Sequence, residues 1–192
     1  VSRINRSNRY FCVLHGVVNV ESAYRPVERK DTKLEPYIFK NFQNVICVSN
    51  FEREKLFALY GARDRVYVIH NGVDMSDAGE GHQRKAAADL SLLEPVCITT
   101  GGFEQRKAVD LALEILIRLL KYDLRPKLVV CGRDSAETGS NRALCEQMAK
   151  DNGINLVYEG EIRDKSRLQR LYSQAHFYMG MSRFDTFNVS VL

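Results

Sequence analysis

Short apolar, β-branched runs recur along the chain, separated by stretches with helical periodicity. The strand-like runs are Tyr10–Leu14, Asn44–Val48, Arg65–Ile69, Val96–Thr100, Lys127–Cys131, Asn155–Tyr158 and His176–Met179. They do not alternate apolar with polar. Such runs predict parallel strands covered by helices on both faces. The stretches between them carry helix signals. Ser49-Asn-Phe-Glu52 is a capping box, and Gly61 suits the position just past the helix that follows. Asp164 can cap a helix carrying Leu168, Leu171, Tyr172 and Ala175, and Gly153 can close one containing Leu144 and Met148. A further helix is predicted over 107–121, with one polar stripe at Asp110, Glu114, Arg118 and Lys121. The repeated strand–helix order predicts an α/β fold with doubly wound parallel sheets.

The order is interrupted after Asn71-Gly72-Val73-Asp74. Met75–Leu92 is rich in Gly, Ser, Asp, Ala and charge, with a short helix expected near Gln83–Asp89. This is the expected crossing between two α/β units, 1–75 and 76–192. The first unit has few strands, and the second closes on the loop Ser182–Leu192, so both are expected to be incomplete.

Composition changes this picture little. At 45% apolar and 27% charged, the 192 residues can bury enough surface to exclude disorder for most of the chain. No apolar run is long enough to span a bilayer. The five cysteines are odd in number and lack metal-type spacing, so neither zinc nor a disulfide framework is expected. They read as small buried hydrophobes in a reducing, cytoplasmic setting. The charge is more informative. Residues 1–75 carry 12 Lys/Arg against 8 Asp/Glu, whereas 76–192 carry 16 of each. A basic first third is compatible with an anionic membrane surface or an acidic ligand. The absence of a dense basic run with interleaved aromatics argues against nucleic acid.

Three segments could carry chemistry. Thr99-Thr-Gly-Gly-Phe-Glu-Gln-Arg-Lys107 lies between a strand and a helix. Its glycines, Gly101 and Gly102, would let a ligand approach the backbone, and the helix N-terminus would present N–H groups to an anion. Lys107 in a first helical turn opposes the helix dipole, which makes sense beside a phosphate. The ordinary alternative is a strand–helix turn with a solvated Lys. The loop Ser182–Ser190 follows the last strand, at the carboxyl end of the sheet where open α/β folds bind ligands. Asp185 is its only carboxylate, either a functional group or a turn-former. His15 ends the first strand and could meet substrate or satisfy its nitrogens locally.

The ordered set of segments resembles the middle of family 4 (group 1) retaining glycosyltransferases, which have the GT-B fold of two Rossmann-like units. The resemblance rests on Val45–Phe51, Val68–Asp74, Thr100–Asp110, Lys127–Gly132, Leu156–Gly160, Leu171–Ala175 and Met181–Leu192. It implies sugar transfer, with retention and without metal or other cofactor, from a nucleotide-diphosphate sugar to a carbohydrate, lipid or protein acceptor. It implies that Lys107 neutralises the donor diphosphate and that Asp185 lies near the transferred sugar. By the same resemblance, the backbone of Phe187, Asn188 and Val189 meets the donor, Glu161 and Ile162 flank the base, and His15 is an active-site His from the first unit.

The departures are specific. Gly102 stands where the family has a phosphate-binding Arg, and Arg106 is the nearby candidate substitute. Ala108 and Asn188 replace glycines, and Asp185 replaces a Glu. The second acid of the family's Glu-x7-Glu pattern would fall one position beyond Leu192. The chain as given is therefore expected to transfer no sugar. A GT-B module that binds nucleotide or phosphosugar without catalysis, and a sugar-nucleotide epimerase, are the competing readings. Lys-Ala-Val-Asp110 and Leu171-Tyr-Ser-Gln-Ala175 count against the epimerase.

Overall fold

The computed structural model describes residues 11–23, 27–72, 93–134 and 140–186. The expected short helix near Gln83–Asp89 and the residues Phe187, Asn188 and Val189 lie outside these. The chain divides into two compact units. The first takes the residues up to Val73 together with Asp185 and Thr186, and the second runs from Asp74 to Phe184. Each has its own all-parallel sheet.

In the first unit the strands are β1 (Phe11–Leu14), β2 (Asn44–Cys47) and β3 (Val66–Val68), in that spatial order. The helices are α1 (Val18–Glu21), α2 (Arg29–Asn41) and α3 (Asn50–Tyr60). Val17, Phe39, Val45, Cys47, Val48 and Leu56 are buried. The opposite faces of the outer strands are not: Phe11, Val13, Tyr67 and Ile69 are all more than two-fifths exposed. The expectation of cover on both faces therefore fails here, because among the described residues α2 and α3 supply the only long helices.

Pro36 stands inside α2, where it can offer no N–H to the carbonyl of Thr32 one turn back. The side-chain amide of Asn19 donates to that carbonyl instead, at 3.2 Å. Ser49 caps α3 as expected, its hydroxyl accepting from the Glu52 N–H at 3.0 Å. The carboxylate of Glu52 reaches one residue past the cap, to the N–H of Val48 at 2.6 Å. Gly61 ends the helix with positive φ (86°) but extended ψ (151°), so it breaks α3 without a left-handed cap.

The second unit contains β4 (Val96–Thr100), α4 (Val109–Leu119), β5 (Lys127–Cys131), α5 (Arg142–Asp151), β6 (Asn155–Gly160), α6 (Lys165–Gln174) and β7 (Phe177–Tyr178). The sheet order is β6-β5-β4-β7. Here the strands are apolar on both sides for the expected reason. Leu128 and Val130 face a cluster with Val109, Ala112, Leu113 and Leu116 of α4 and Cys145 and Ala149 of α5. Val129 and Cys131 face Leu168, Leu171 and Tyr172 of α6. Among the described residues two helices thus cover one face and one the other, each burying its apolar stripe. The chain winds outward from β4 through β5 to β6, then returns to lay β7 on β4's other side. The β4/β7 boundary is the topological switch point, and ligands of such sheets bind outside the carboxyl ends there.

Candidate functional site at the switch point

β4 ends in Thr100-Gly101-Gly102, and both glycines have positive φ (105° and 66°). Their N–H groups each donate to the carbonyl of Cys131 at the end of β5, at 2.9 Å. The glycines therefore tie two strand ends together, and their N–H groups point within the fold. Gly102 packs against the backbone of the neighbouring loop: a β-carbon on it would stand 2.0 Å from the Arg133 carbonyl oxygen. An Arg at this position, as the resemblance would require, cannot be accommodated in this backbone.

Lys107 is not in the first turn of the following helix, contrary to expectation. Gln105–Lys107 form a 3-10 turn, and Ala108 then takes a left-handed conformation (φ 54°, ψ 46°) before α4 begins at Val109. The helix starts late because the left-handed Ala108 interrupts the right-handed helical path. As a result Lys107 folds back over the end of β4. Its methylenes lie so close to Gly101 that a β-carbon there would stand 2.6 Å from its Cγ. A glycine at 101 thus makes room for the lysine stem, which bring the cation to the carboxyl end of β4.

Arg106 faces the other way. Its guanidinium donates to Glu104 at 3.1 Å and to the Phe184 carbonyl at 3.2 Å, with its side chain only 17% exposed. It ties the turn to the loop after β7 rather than standing open as a second donor cation. Across the switch point, Thr100 and Tyr178 share a hydroxyl–hydroxyl hydrogen bond at 3.0 Å. Arg183 makes a two-pronged pair with Asp110, one prong at 2.9 Å, and also donates to the Gln105 carbonyl at 2.7 Å. The Arg183 guanidinium holds the Asp110 carboxyl below its ordinary range. Asp110 also sits in the first turn of α4, where a carboxylate complements the helix dipole.

Glu161 and Ile162 follow β6. Glu161 is exposed and paired with Arg133 at 3.3 Å and Arg163 at 3.6 Å, which hold its carboxyl low. Ile162 packs on the cluster of Ile98, Val129 and Cys131, so part of its side chain is spent on the core. The structure thus brings Gly101, Gly102 and Lys107 together at one strand end.

His15 is exposed at the end of β1 in the first unit. Its carbonyl accepts from the hydroxyl of Thr186, which neighbours Asp185 in sequence, at 3.2 Å. Below this loop, Glu52 is fully buried, and burial pushes its carboxyl up to about 7. Four of the five cysteines are buried, and all five are free thiols. Among the described residues no helix is long and apolar enough to cross a membrane. No group of three or more His, Cys, Asp or Glu among them could hold a metal ion.

Two parallel-sheet α/β units in this order constitute the fold of the GT-B glycosyltransferases. By fold, sucrose-phosphate synthase from Thermosynechococcus elongatus superposes with a TM-score of 0.69 at 19% identity, over 95% of this chain and 46% of that one. The Anabaena protein HepE, solved with UDP and glucose, superposes with a TM-score of 0.67 at 15% identity, over 90% and 46%. By sequence, residues 3–77 match Glycosyltransferase Family 4. A named relative is D-inositol 3-phosphate glycosyltransferase 1 of Catenulispora acidiphila, 33% identical over 110 residues. That match covers 54% of this chain and 26% of the relative, so the chain aligns with about a quarter of the relative's length.

Proposed function

We propose that the protein takes a nucleotide-diphosphate sugar at the carboxyl end of β4 and transfers the sugar, with retention, to a carbohydrate, lipid or protein acceptor. The observation that carries this reading is Lys107 folded over Gly101 at the topological switch point. A cation fixed there neutralises a diphosphate and stabilises the charge that grows on it as the sugar leaves. In this reading Lys107 does the work without a metal, Asp185 attends the transferred sugar and His15 serves as an active-site histidine. Glu161 and Ile162 flank the base, and Phe187, Asn188 and Val189 offer backbone to the donor. Support comes from the family match and from HepE, which was solved with UDP and glucose. The free, mostly buried thiols suit a reducing compartment, and the reading places the protein in the cytoplasm, with its basic first third available to an anionic membrane face.

The test is calorimetric titration of UDP and uridine into the chain and into Lys107→Ala. The variant is expected to lose about 1.5–3 kcal/mol of UDP affinity, the range for a hydrogen bond to a charged group, with uridine unaffected. Added salt should weaken UDP binding in the parent more than in the variant. Equal UDP affinities would return Lys107 to a solvated turn and sink the proposal. A second reading, a GT-B module that binds donor without turnover, is favoured by the crowding that excludes an Arg at Gly102. UDP release from a panel of UDP-sugars by the chain extended at both ends, reduced by Asp185→Asn more than donor binding is, would decide for the enzyme.

A further inference from the structure

The loop after β7 and the turn before α4 come from opposite ends of the second unit's sequence, yet they are held by a dense set of contacts. Arg183 spans both. Its backbone N–H donates to the Arg106 carbonyl at 2.8 Å, and its guanidinium reaches the Gln105 carbonyl and both oxygens of Asp110. Arg106 returns a hydrogen bond to the Phe184 carbonyl. Asn141, at the start of α5, donates to Asp110 at 3.1 Å and so braces the carboxylate from a third element. The pair is well covered, with side chains 26% and 16% exposed for Arg183 and Asp110. Two parallel hydrogen bonds between a planar fork and a carboxylate fix orientation as well as distance.

We propose that Asp110 and Arg183 are positioning residues: their two-pronged pair locks the turn that aims Lys107 to the loop that leads into Asp185. This rests on the donor-binding reading above. The geometry explains why a pair is needed. Gln105–Lys107 is a single 3-10 turn followed by a left-handed Ala108, a conformation that local preference does not hold. An outside tether must keep it closed. Arg183 is that tether, holding the turn by two carbonyls and the helix start by Asp110. Neither side chain of the pair needs to touch the donor.

Asp110→Asn separates this role from a simple charge effect. Removing a negative charge close to the site would by itself raise affinity for a diphosphate. Loss of the lock instead lowers it. The expected result is a roughly tenfold weaker UDP affinity in Asp110→Asn and in Arg183→Gln, with uridine affinity unchanged. The double variant should be no weaker than the worse single one, since both remove one shared interaction. Amide hydrogen exchange should rise at 105–108 and 182–184 in both variants and stay at the parental level in β5, which controls for global unfolding. Asp110→Asn that binds UDP as well as or better than the parent, or exchange unchanged at both segments, would overturn the lock. If the parent chain binds none of UDP, GDP and ADP, the donor reading fails, and the exchange experiment alone decides whether the two segments are locked.

Discussion

Gly102 and Gly132 meet backbone to backbone at the ends of β4 and β5. A β-carbon on Gly132 would lie 2.3 Å from the Gly102 nitrogen, and both residues have positive φ. The two loops that shape the floor of the candidate site can approach this closely only because both positions are glycine. Substituting Gly102→Arg, to supply the side chain that family resemblance would place there, is therefore expected to destabilise the second unit. Left-handed strain and overpacking together amount to roughly 2–5 kcal/mol. Urea denaturation of parent and variant measures the difference. A variant as stable as the parent would show that the loops can part.

Ala108 presents the converse case. It is fully buried and left-handed, so it carries strain that a glycine would relieve at the cost of one buried methyl. The two effects are each about 1 kcal/mol and opposed, so Ala108→Gly should stay within about 1 kcal/mol of the parent. Ala108→Val adds bulk and a β-branch at positive φ and should lose at least about 2 kcal/mol. Thermal melts of both variants check the contrast. A valine variant as stable as the glycine one would show that position 108 is not held in the left-handed region.

Glu52 should make the first unit less stable as pH rises. Its carboxyl goes from 4.5 in a solvated setting to about 7 in the fold, chiefly through burial, with Glu21 and Glu35 adding to the rise and the N–H groups of Val48 and Gly16 opposing it. Between those values the folded chain holds a proton that the unfolded chain has released. Stability contributed by this group is present below about pH 4.5 and is lost as pH climbs through 7, by about 3 kcal/mol at most. Glu52→Gln should flatten that slope relative to the parent. Parallel stability curves from pH 4 to 8 would show that Glu52 titrates normally.

The thiols offer a separate check on the core. Burial pushes Cys47 and Cys145 up to about 12 and Cys131 up to about 11, and Cys97 is raised for the same reason. Only Cys12 is partly exposed. A thiol reagent at neutral pH should modify about one cysteine per native chain and all of them in denaturant. Rapid native modification of several would contradict the packing around β2, β4 and β5.

Much of the fold was legible because the signals were local. Ser49 and Asp164 cap the helices that their spacing predicts, and seven apolar runs mark the seven strands among the described residues. Two features needed three-dimensional information. α2, which no local signal singles out, runs through Pro36 because Asn19, distant in sequence, satisfies the carbonyl that Pro36 leaves. Lys107 reads as helical because Val109, Ala112, Leu113 and Leu116 continue its period, and nothing local announces that Ala108 turns left-handed. At the site, Gly101, Gly102 and Lys107 were visible as a strand-to-helix segment. The partnership of Asp110 with Arg183 was not, because it depends on the strand order, and one sequence does not reveal which strand lies beside β4.

That strand order also sets a timetable. Cys97 pairs with Phe177, and Asp110 with Arg183 across 73 positions, so the crevice is closed by the last described part of the unit to leave the ribosome. β4, β5 and β6 can pair as each is synthesised, but the long loop that joins β7 to β4 must close before any contact repays its entropy. The nascent second unit therefore holds its core before it holds the candidate site, and a chain stalled short of Phe177 would be folded in part and without that site.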